Sequence, residues 1–154
     1  MPIQRVYWDA NVFHALFSKE KGRVENCERL YEAAKGGKLT IYTSAITFVE
    51  CVWLKGLQRL SKEHEAVIQK FFMHHFIEIV NCDRFTGTDA RRLLWQFSHL
   101  EPKDAIHVAS ALSQQVEILH SNDKDLLRLN GKLGSQQLKI CEPGKEEADF
   151  SLGK

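Results

Sequence analysis

The stretch IQRVYWDANVF, residues 3–13, sets a β-prone run directly against an aspartate and an asparagine, where a strand hands over to a helix. Similar short β-prone runs recur as KLTIYT, FIEIVN, VEILHS and QLKICEP. Between them lie helical patterns: RVENCERLYEAAKGG, SAITFVECVWLKGLQRL, SKEHEAVIQKFFMHH, TGTDARRLLWQF, PKDAIHVASALSQQ and NDKDLLRLNGKLG. Strands separated by helices predict βαβ crossovers, so the expected fold is an α/β/α sandwich around a five-stranded parallel sheet. Two helical patterns run back to back between Ser44 and His75 and predict a helical hairpin insertion turning at KGLQRLSK. The punctuation agrees. Gly36-Gly37 is a helix stop, Ser44 a cap, Pro102 a first helical residue, and Gly131 follows LLRLN as a further stop.

The chain has 154 residues, 44% hydrophobic and 27% charged, which suits one ordinary globular domain and excludes a disordered or fibrous class. We divide it into a folded unit over residues 1–142 and a loosely held polar tail over 143–154. No apolar run is long enough to span a membrane and the first residues lack a signal-peptide pattern, so the expected location is cytoplasmic. Cys27, Cys51, Cys82 and Cys141 are widely spread without C-x-x-C spacing, which predicts reduced, mostly buried thiols and no zinc site. The net charge of +1 is low for general electrostatic attraction to nucleic acid, so such binding must draw on local patches or on metal ions.

In an open parallel sheet, ligands bind beyond the carboxyl ends of the strands, and acids stand at several such points. Asp9 follows RVYW, Glu50 lies two turns beyond KLTIYT, Asp104 stands in the first turn of PKDAIHVASAL, and Asp123 and Asp125 follow VEILHS. Singly, Asp9, Asp104 and the NDKD acids are readable as helix caps and dipole partners. Glu50 resists that account. With Ile46, Val49, Trp53, Leu54 and Leu57 it shares a helical stripe that holds no basic residue, and a carboxylate on a core-facing stripe costs several kcal/mol without a partner. Four converging carboxylates repel one another and so favour a hard cation; all-oxygen ligands favour Mg²⁺ or Mn²⁺ over Zn²⁺. Such ions activate water and neutralise phosphate oxygens, which points to phosphodiester cleavage.

In order, YWDANVF, TFVECV, PKDAIHVASAL and LHSNDKDLLRL resemble the motifs of the PIN-domain nucleases, whose members include VapC-type toxins; the likeness runs over residues 3 to 141. The resemblance implies a parallel sheet with its first and fourth strands side by side and an acidic pocket at their carboxyl ends. It makes Asp9, Glu50, Asp104 and Asp123 the catalytic, metal-binding acids, with Asn11 and Ser121 orienting a ligand water or the Asp9 carboxylate. Asp125 takes an outer or capping place. It further implies an Mg²⁺- or Mn²⁺-dependent ribonuclease, an RNA substrate, a homodimer, and a small antitoxin partner. Leu126 departs from a frequent Phe, and Cys51 and Trp53 are bulky for the second motif.

His107 reads as a structural histidine within a close-packing helix, and His120 and Lys124 as groups near a phosphate. Arg84, Arg91, Arg92, Lys103 and Lys124 are the cations available to steer a nucleic-acid backbone. A haloacid-dehalogenase-type phosphatase needs a second aspartate where this chain has Asn11, a receiver domain needs an acidic pair after its first strand, and no phosphate-binding glycine loop is present. The remaining alternative is a PIN fold that binds RNA or protein without turnover.

Overall fold

The computed structural model describes residues 3–54, 58–134 and 138–146. In chain order its elements are β1 (Gln4–Trp8), α1 (Ala10–Phe17), α2 (Val24–Lys35), β2 (Leu39–Ser44), α3 (Ile46–Glu50), β3 (Trp53–Leu54), β4 (Gln58–Arg59), α4 (Lys62–Phe72), β5 (Ile77–Val80), α5 (Arg84–Gln96), α6 (Pro102–Ser113), β6 (Ile118–His120), α7 (Lys124–Leu127) and β7 (Lys139–Cys141). Five strands form one all-parallel sheet in the order β5-β2-β1-β6-β7. The first and fourth sheet strands, β1 and β6, are therefore neighbours, pairing Val6 with Ile118 and Trp8 with His120. The chain leaves β1 toward β2 on one side and returns to β6 on the other, so a topological switch point opens at their carboxyl ends.

Side chains alternate across the central strand, as its period of two requires. Val6 and Trp8 join Val12, Phe13, Leu30, Ile41, Phe72 and Ile118 in one core, under α1, α2 and α4. Tyr7 joins Ala90, Leu93, Ala105, Val108, Leu119 and Leu126 in the other, under α5, α6 and α7. Phe13 anchors the first core. Its ring contacts Trp8 at 5.1 Å, Phe72 at 5.1 Å and Phe71 at 6.1 Å between centroids, in tilted and edge-on arrangements favoured by aromatic quadrupoles.

Local signals account for most element ends. Asp9 caps α1, accepting from the Val12 N–H; Asp83 caps α5, accepting from Phe85 and Thr86. Its three hydrogen-bond donors hold the Asp83 carboxyl below its ordinary value. Ser44 accepts from the Ile46 N–H at the start of α3, and Gly37 and Gly131 take positive φ after their helices.

The region between Ser44 and His75 differs from the expected helical hairpin. The two helices are present as α3 and α4, but α3 ends at Glu50, and an antiparallel ribbon of β3 and β4 stands where a longer helix and a turn were expected. The Cys51 N–H closes α3 on Thr47, and the β-branched and aromatic run that follows suits a strand. The proposed stripe therefore does not exist: Val49 is 72% exposed and Phe48 46% exposed, while Thr47 is the buried residue of α3. Leu57 and the side chains of Trp53 and Leu54 lie outside the described residues. Cys51 is buried, its thiol facing the Ala10 carbonyl.

The tail is also held more firmly than expected over its described part. Glu146 is buried against His120, and the chain reaches it through Gly144, whose φ of +86 and close approach to the Asn26 side chain admit no Cβ without a shift. Residues 147–154 lie outside the described part. Three of the four cysteines are buried thiols, and Cys82 is exposed.

Replacing Phe13 by Ala removes the ring on which four aromatic neighbours pack and leaves a cavity; an expected loss of about 3–5 kcal/mol is to be read as a lowered urea midpoint with an unchanged m-value.

Candidate active site

An open cavity of about 260 Å³ lies at the switch point, lined by Asp9, Asn11, His14, Glu50, Lys103, Asp104, His107 and Asp123 together with Ala10. Asp9 arrives from the end of β1, Glu50 from the end of α3, Asp104 from the first turn of α6, and Asp123 from the loop after β6. The four acids singled out from sequence thus share one concavity although up to 114 residues of chain separate them, from Asp9 to Asp123. Asp104, Asp123 and Asp125 each offer a carboxylate oxygen, all within 4.8 Å of one another.

Asp9 answers both readings of its position. One oxygen caps α1 through the Val12 N–H, and the other accepts a short bond of 2.5 Å from the Ser121 hydroxyl. The same Ser121 oxygen accepts from the Asp123 N–H, while Asn11 accepts from the Asn122 N–H at 3.1 Å. Asn11 therefore fixes the loop rather than the Asp9 carboxylate. Asp123 caps α7 by accepting from the Asp125 N–H. The Asp125 carboxylate, grouped with those of Asp104 and Asp123, also lies within 3.7 Å of Arg128.

Glu50 has a partner that sequence reasoning missed. His107 Nε2 lies 2.7 Å from its carboxylate, and His107 Nδ1 lies 2.7 Å from the Tyr7 hydroxyl. Burial raises the Tyr7 pKa far above the ordinary range, so its hydroxyl stays protonated. The Glu50 carboxylate only accepts, so Nε2 donates to it, and in a neutral ring Nδ1 then accepts from the Tyr7 hydroxyl. Periodicity reports only the neighbours on Glu50's own element, whereas the histidine comes from α6, one turn beyond Asp104 and on the same helical face. His14 was also missed. It lines the cavity and pairs with the Glu50 backbone carbonyl at 2.9 Å, and its spacing of three from Asn11 on α1 was the available signal.

His120 does not approach the cavity. It is buried on the other side of its strand and meets Glu146. Lys124 lies exposed on α7, while Lys103 borders the cavity itself. Arg84, Arg91 and Arg92 are exposed on α5, the last paired with Asp89.

Burial drives the Asp9 pKa up to about 7 against the opposing pull of His107 and Ser121. Burial first, and the Asp123 charge second, raise Asp104 to about 6. Among the described residues no lysine or arginine forms an ion pair with Asp9, Asp104 or Asp123. Two carboxylates within 4.8 Å repel by roughly 3 kcal/mol at an effective dielectric near 20. Oxygen donors that are crowded, desolvated and short of protein cations fit a hard divalent ion.

These shifts have a definite sign. A carboxyl that holds its proton more tightly when folded stabilises the protein below its unfolded pKa near 4, and that contribution is lost as pH rises through the folded values of about 6 to 7. Metal-free protein is therefore expected to melt several degrees lower at pH 8 than at pH 5.5. Asp104→Asn should flatten that slope and diminish the rise in Tm that Mg²⁺ produces at pH 8; a wild-type slope equal to that of the variant contradicts the electrostatic account.

The PIN domain family model matches residues 6–132. No curated protein matches the chain in sequence. Among solved structures, a DNA-bound VapBC from Salmonella typhimurium is similar at 15% identity and a TM-score of 0.64, covering 90% of this chain and 98% of that one. A toxin-antitoxin complex from Klebsiella pneumoniae is similar at 21% identity and a TM-score of 0.58, covering 86% and 94%. VapC20 of Mycobacterium tuberculosis, a sarcin-ricin loop cleaving toxin, is similar at 14% identity and a TM-score of 0.60, covering 79% and 92%. At these identities the structures speak for the fold, and the family match, which spans most of the sequence, speaks for descent: the chain belongs to the PIN domain family.

Proposed function

We propose that this protein is a metal-dependent endoribonuclease that hydrolyses RNA phosphodiester bonds and acts as the toxin of a toxin–antitoxin pair, with residues 1–142 as its catalytic unit. The observation that carries this reading is the convergence of Asp9, Glu50, Asp104 and Asp123 on one cavity, three of them without a lysine or arginine ion pair among the described residues. Those four acids would hold Mg²⁺ or Mn²⁺. Bound there, such an ion would supply positive charge for the phosphate oxygens and the acidity to make a water nucleophilic.

The chain's own groups do the positioning. Ser121 and the Val12 N–H hold the two Asp9 oxygens, so the carboxylate keeps one orientation at the end of β1. His107, steadied by Tyr7, fixes Glu50 in the same way. Lys103, at the cavity edge, offers a cation to the RNA backbone. Asn11 and Ser121 order the loop that presents Asp123, and Asp125 stays at the outer edge.

An antitoxin partner, which the neighbouring toxin–antitoxin complexes support, and a homodimer are further parts of this proposal. Exposed Phe85 and Trp95 on α5 are available to a second copy; Phe48 and Met73 border an apolar cavity of about 370 Å³ available to an antitoxin segment. Among the described residues no helix is long and apolar enough to cross a membrane, and we place the protein in the cytoplasm.

Cleavage of a labelled RNA is the test. Wild type is expected to cleave in Mg²⁺ or Mn²⁺ and to stop in chelator, with Asp104→Asn and Asp123→Asn reducing the rate by two or more orders of magnitude. His107→Ala should lose about 10–100-fold, the usual effect of removing a group that orients a ligand. Metal-independent RNA binding that survives every substitution, with no cleavage by wild type, would establish a non-catalytic binding module instead. Growth arrest on expression of wild type but not Asp104→Asn tests the toxin role.

A further inference from the structure

A second cluster of metal-ligating side chains lies away from the acidic cavity. His120 ends β6, Cys141 ends β7 directly beside it in register, and Glu146 folds back from the chain beyond β7. One ligand atom from each lies within 4.8 Å of the others, and none of the three lines the acidic cavity. All are withdrawn from solvent: His120 is fully buried, Cys141 is 8% exposed, and the Glu146 side chain is 6% exposed.

Two features of this cluster are unusual in a core. The first is the carboxylate, which burial disfavours but which the His120 and Gly144 hydrogen bonds hold below its ordinary pKa. Glu146 Oε1 is 2.5 Å from His120 Nε2 and accepts from the Gly144 N–H, but its nearest lysine or arginine is Arg29, 4.0 Å away on the other oxygen and 59% exposed. The second is the imidazole. His120 Nδ1 is buried with no hydrogen-bond partner among the described residues, and an unmet buried polar atom costs about 1–3 kcal/mol. Because Glu146 lies on the Nε2 side of the ring, Nε2 is the nitrogen that can share a cation with it, the ring proton then sitting on Nδ1.

We propose that His120, Cys141 and Glu146 form a structural site for a thiophilic divalent cation of the Zn²⁺ class, which clamps the segment after β7 onto the sheet beneath α2. One sulfur, one nitrogen and one carboxylate oxygen make a donor set suited to zinc and unsuited to Mg²⁺. Ligands at zinc distances stand roughly 3.3–3.7 Å apart, which small side-chain rotations reach from the spacing found here. Binding displaces the thiol proton of Cys141 and any second imidazole proton of His120 to solvent, leaving thiolate, neutral imidazole and carboxylate around the cation, with water as a fourth ligand. Gly144 already brings the backbone against Asn26 of α2, so the loop that carries Glu146 is in place before the ion arrives. The sequence spacing concealed this site, because its residues are 21 and 5 apart and meet only through strand pairing.

The proposal is independent of the nuclease reading and is tested on the full chain, stripped with chelator under reducing conditions and titrated with Co²⁺ and then Zn²⁺. Wild type is expected to develop a thiolate-to-cobalt charge-transfer band that saturates at one equivalent and is bleached by one equivalent of Zn²⁺. Carboxylates give no such band, so the acidic cavity is silent in this readout. Cys141→Ser should abolish it, Glu146→Gln should weaken Co²⁺ binding at least tenfold, and Cys82→Ser and Asp104→Asn should leave it unchanged. Absence of the band in wild type, or its persistence in Cys141→Ser, overturns the proposal. Should Cys141→Ser fail to fold, Glu146→Gln decides alone: unchanged affinity means that the cluster is an ion pair and no more.

Discussion

The burial of one carboxylate, Asp9, is the constraint on which the rest of the arrangement depends. It stands at the end of the central strand, where β1 and β6 lie side by side, and the neighbours that tolerate it come both from the adjoining helical turn and from a distant part of the chain. The Val12 N–H gives it a helix start, which orients α1 across the sheet. Ser121 gives it a hydroxyl, and through the same oxygen the loop after β6 is folded so that Asp123 faces inward. These bonds reduce the desolvation cost without cancelling it, as the elevated pKa records. A sheet that placed β6 elsewhere would leave the acid buried without its hydroxyl partner, so topology and charge are satisfied together.

Much of this was legible because it follows from local pattern. Alternation of strand and helix signals predicted the parallel sheet, and acids at strand ends predicted the cavity, since both rest on periodicity and on where α/β sheets open. What escaped was pairing between elements. Glu50 was correctly read as needing a partner, but one turn of helix and a ribbon replaced the long stripe assumed for it, and the partner came from α6. A sequence pattern reports which face of one element is apolar. It does not report which residue of another element will stand opposite. His120 shows the same limit: proximity to the acidic motif along the chain placed it near phosphate, whereas its side chain leaves the opposite side of the strand.

The Tyr7–His107–Glu50 connection links the two halves of the site in a way the acids alone do not. Tyr7 belongs to the core beneath α5 and α6, and Glu50 to the short helix after β2. Between them His107 is held at both ring nitrogens, which fixes its tautomer and the direction in which its proton points. Asp104 sits one helical turn before it, so a single helix positions one acid directly and another through hydrogen bonding. The small residues Ala105, Val108, Ala109 and Ala111 are what let α6 approach the sheet closely enough for a tyrosine from the central strand to reach the imidazole.

The period of two along and just beyond β6 then separates two kinds of chemistry that would otherwise interfere. His120 and Ser121 are adjacent, yet one meets Glu146 under α2 and the other meets Asp9 at the cavity. The thiol is gathered on one side with His120 and Glu146, and the four acids face the other, with the buried strand backbone between them. A soft cation finds no thiolate among the acids that line the cavity, and a hard cation finds too few oxygens around His120 and Cys141. Sorting of this kind needs no recognition beyond strand geometry: a one-residue shift in the register of β6 would exchange the two sets and dismantle both.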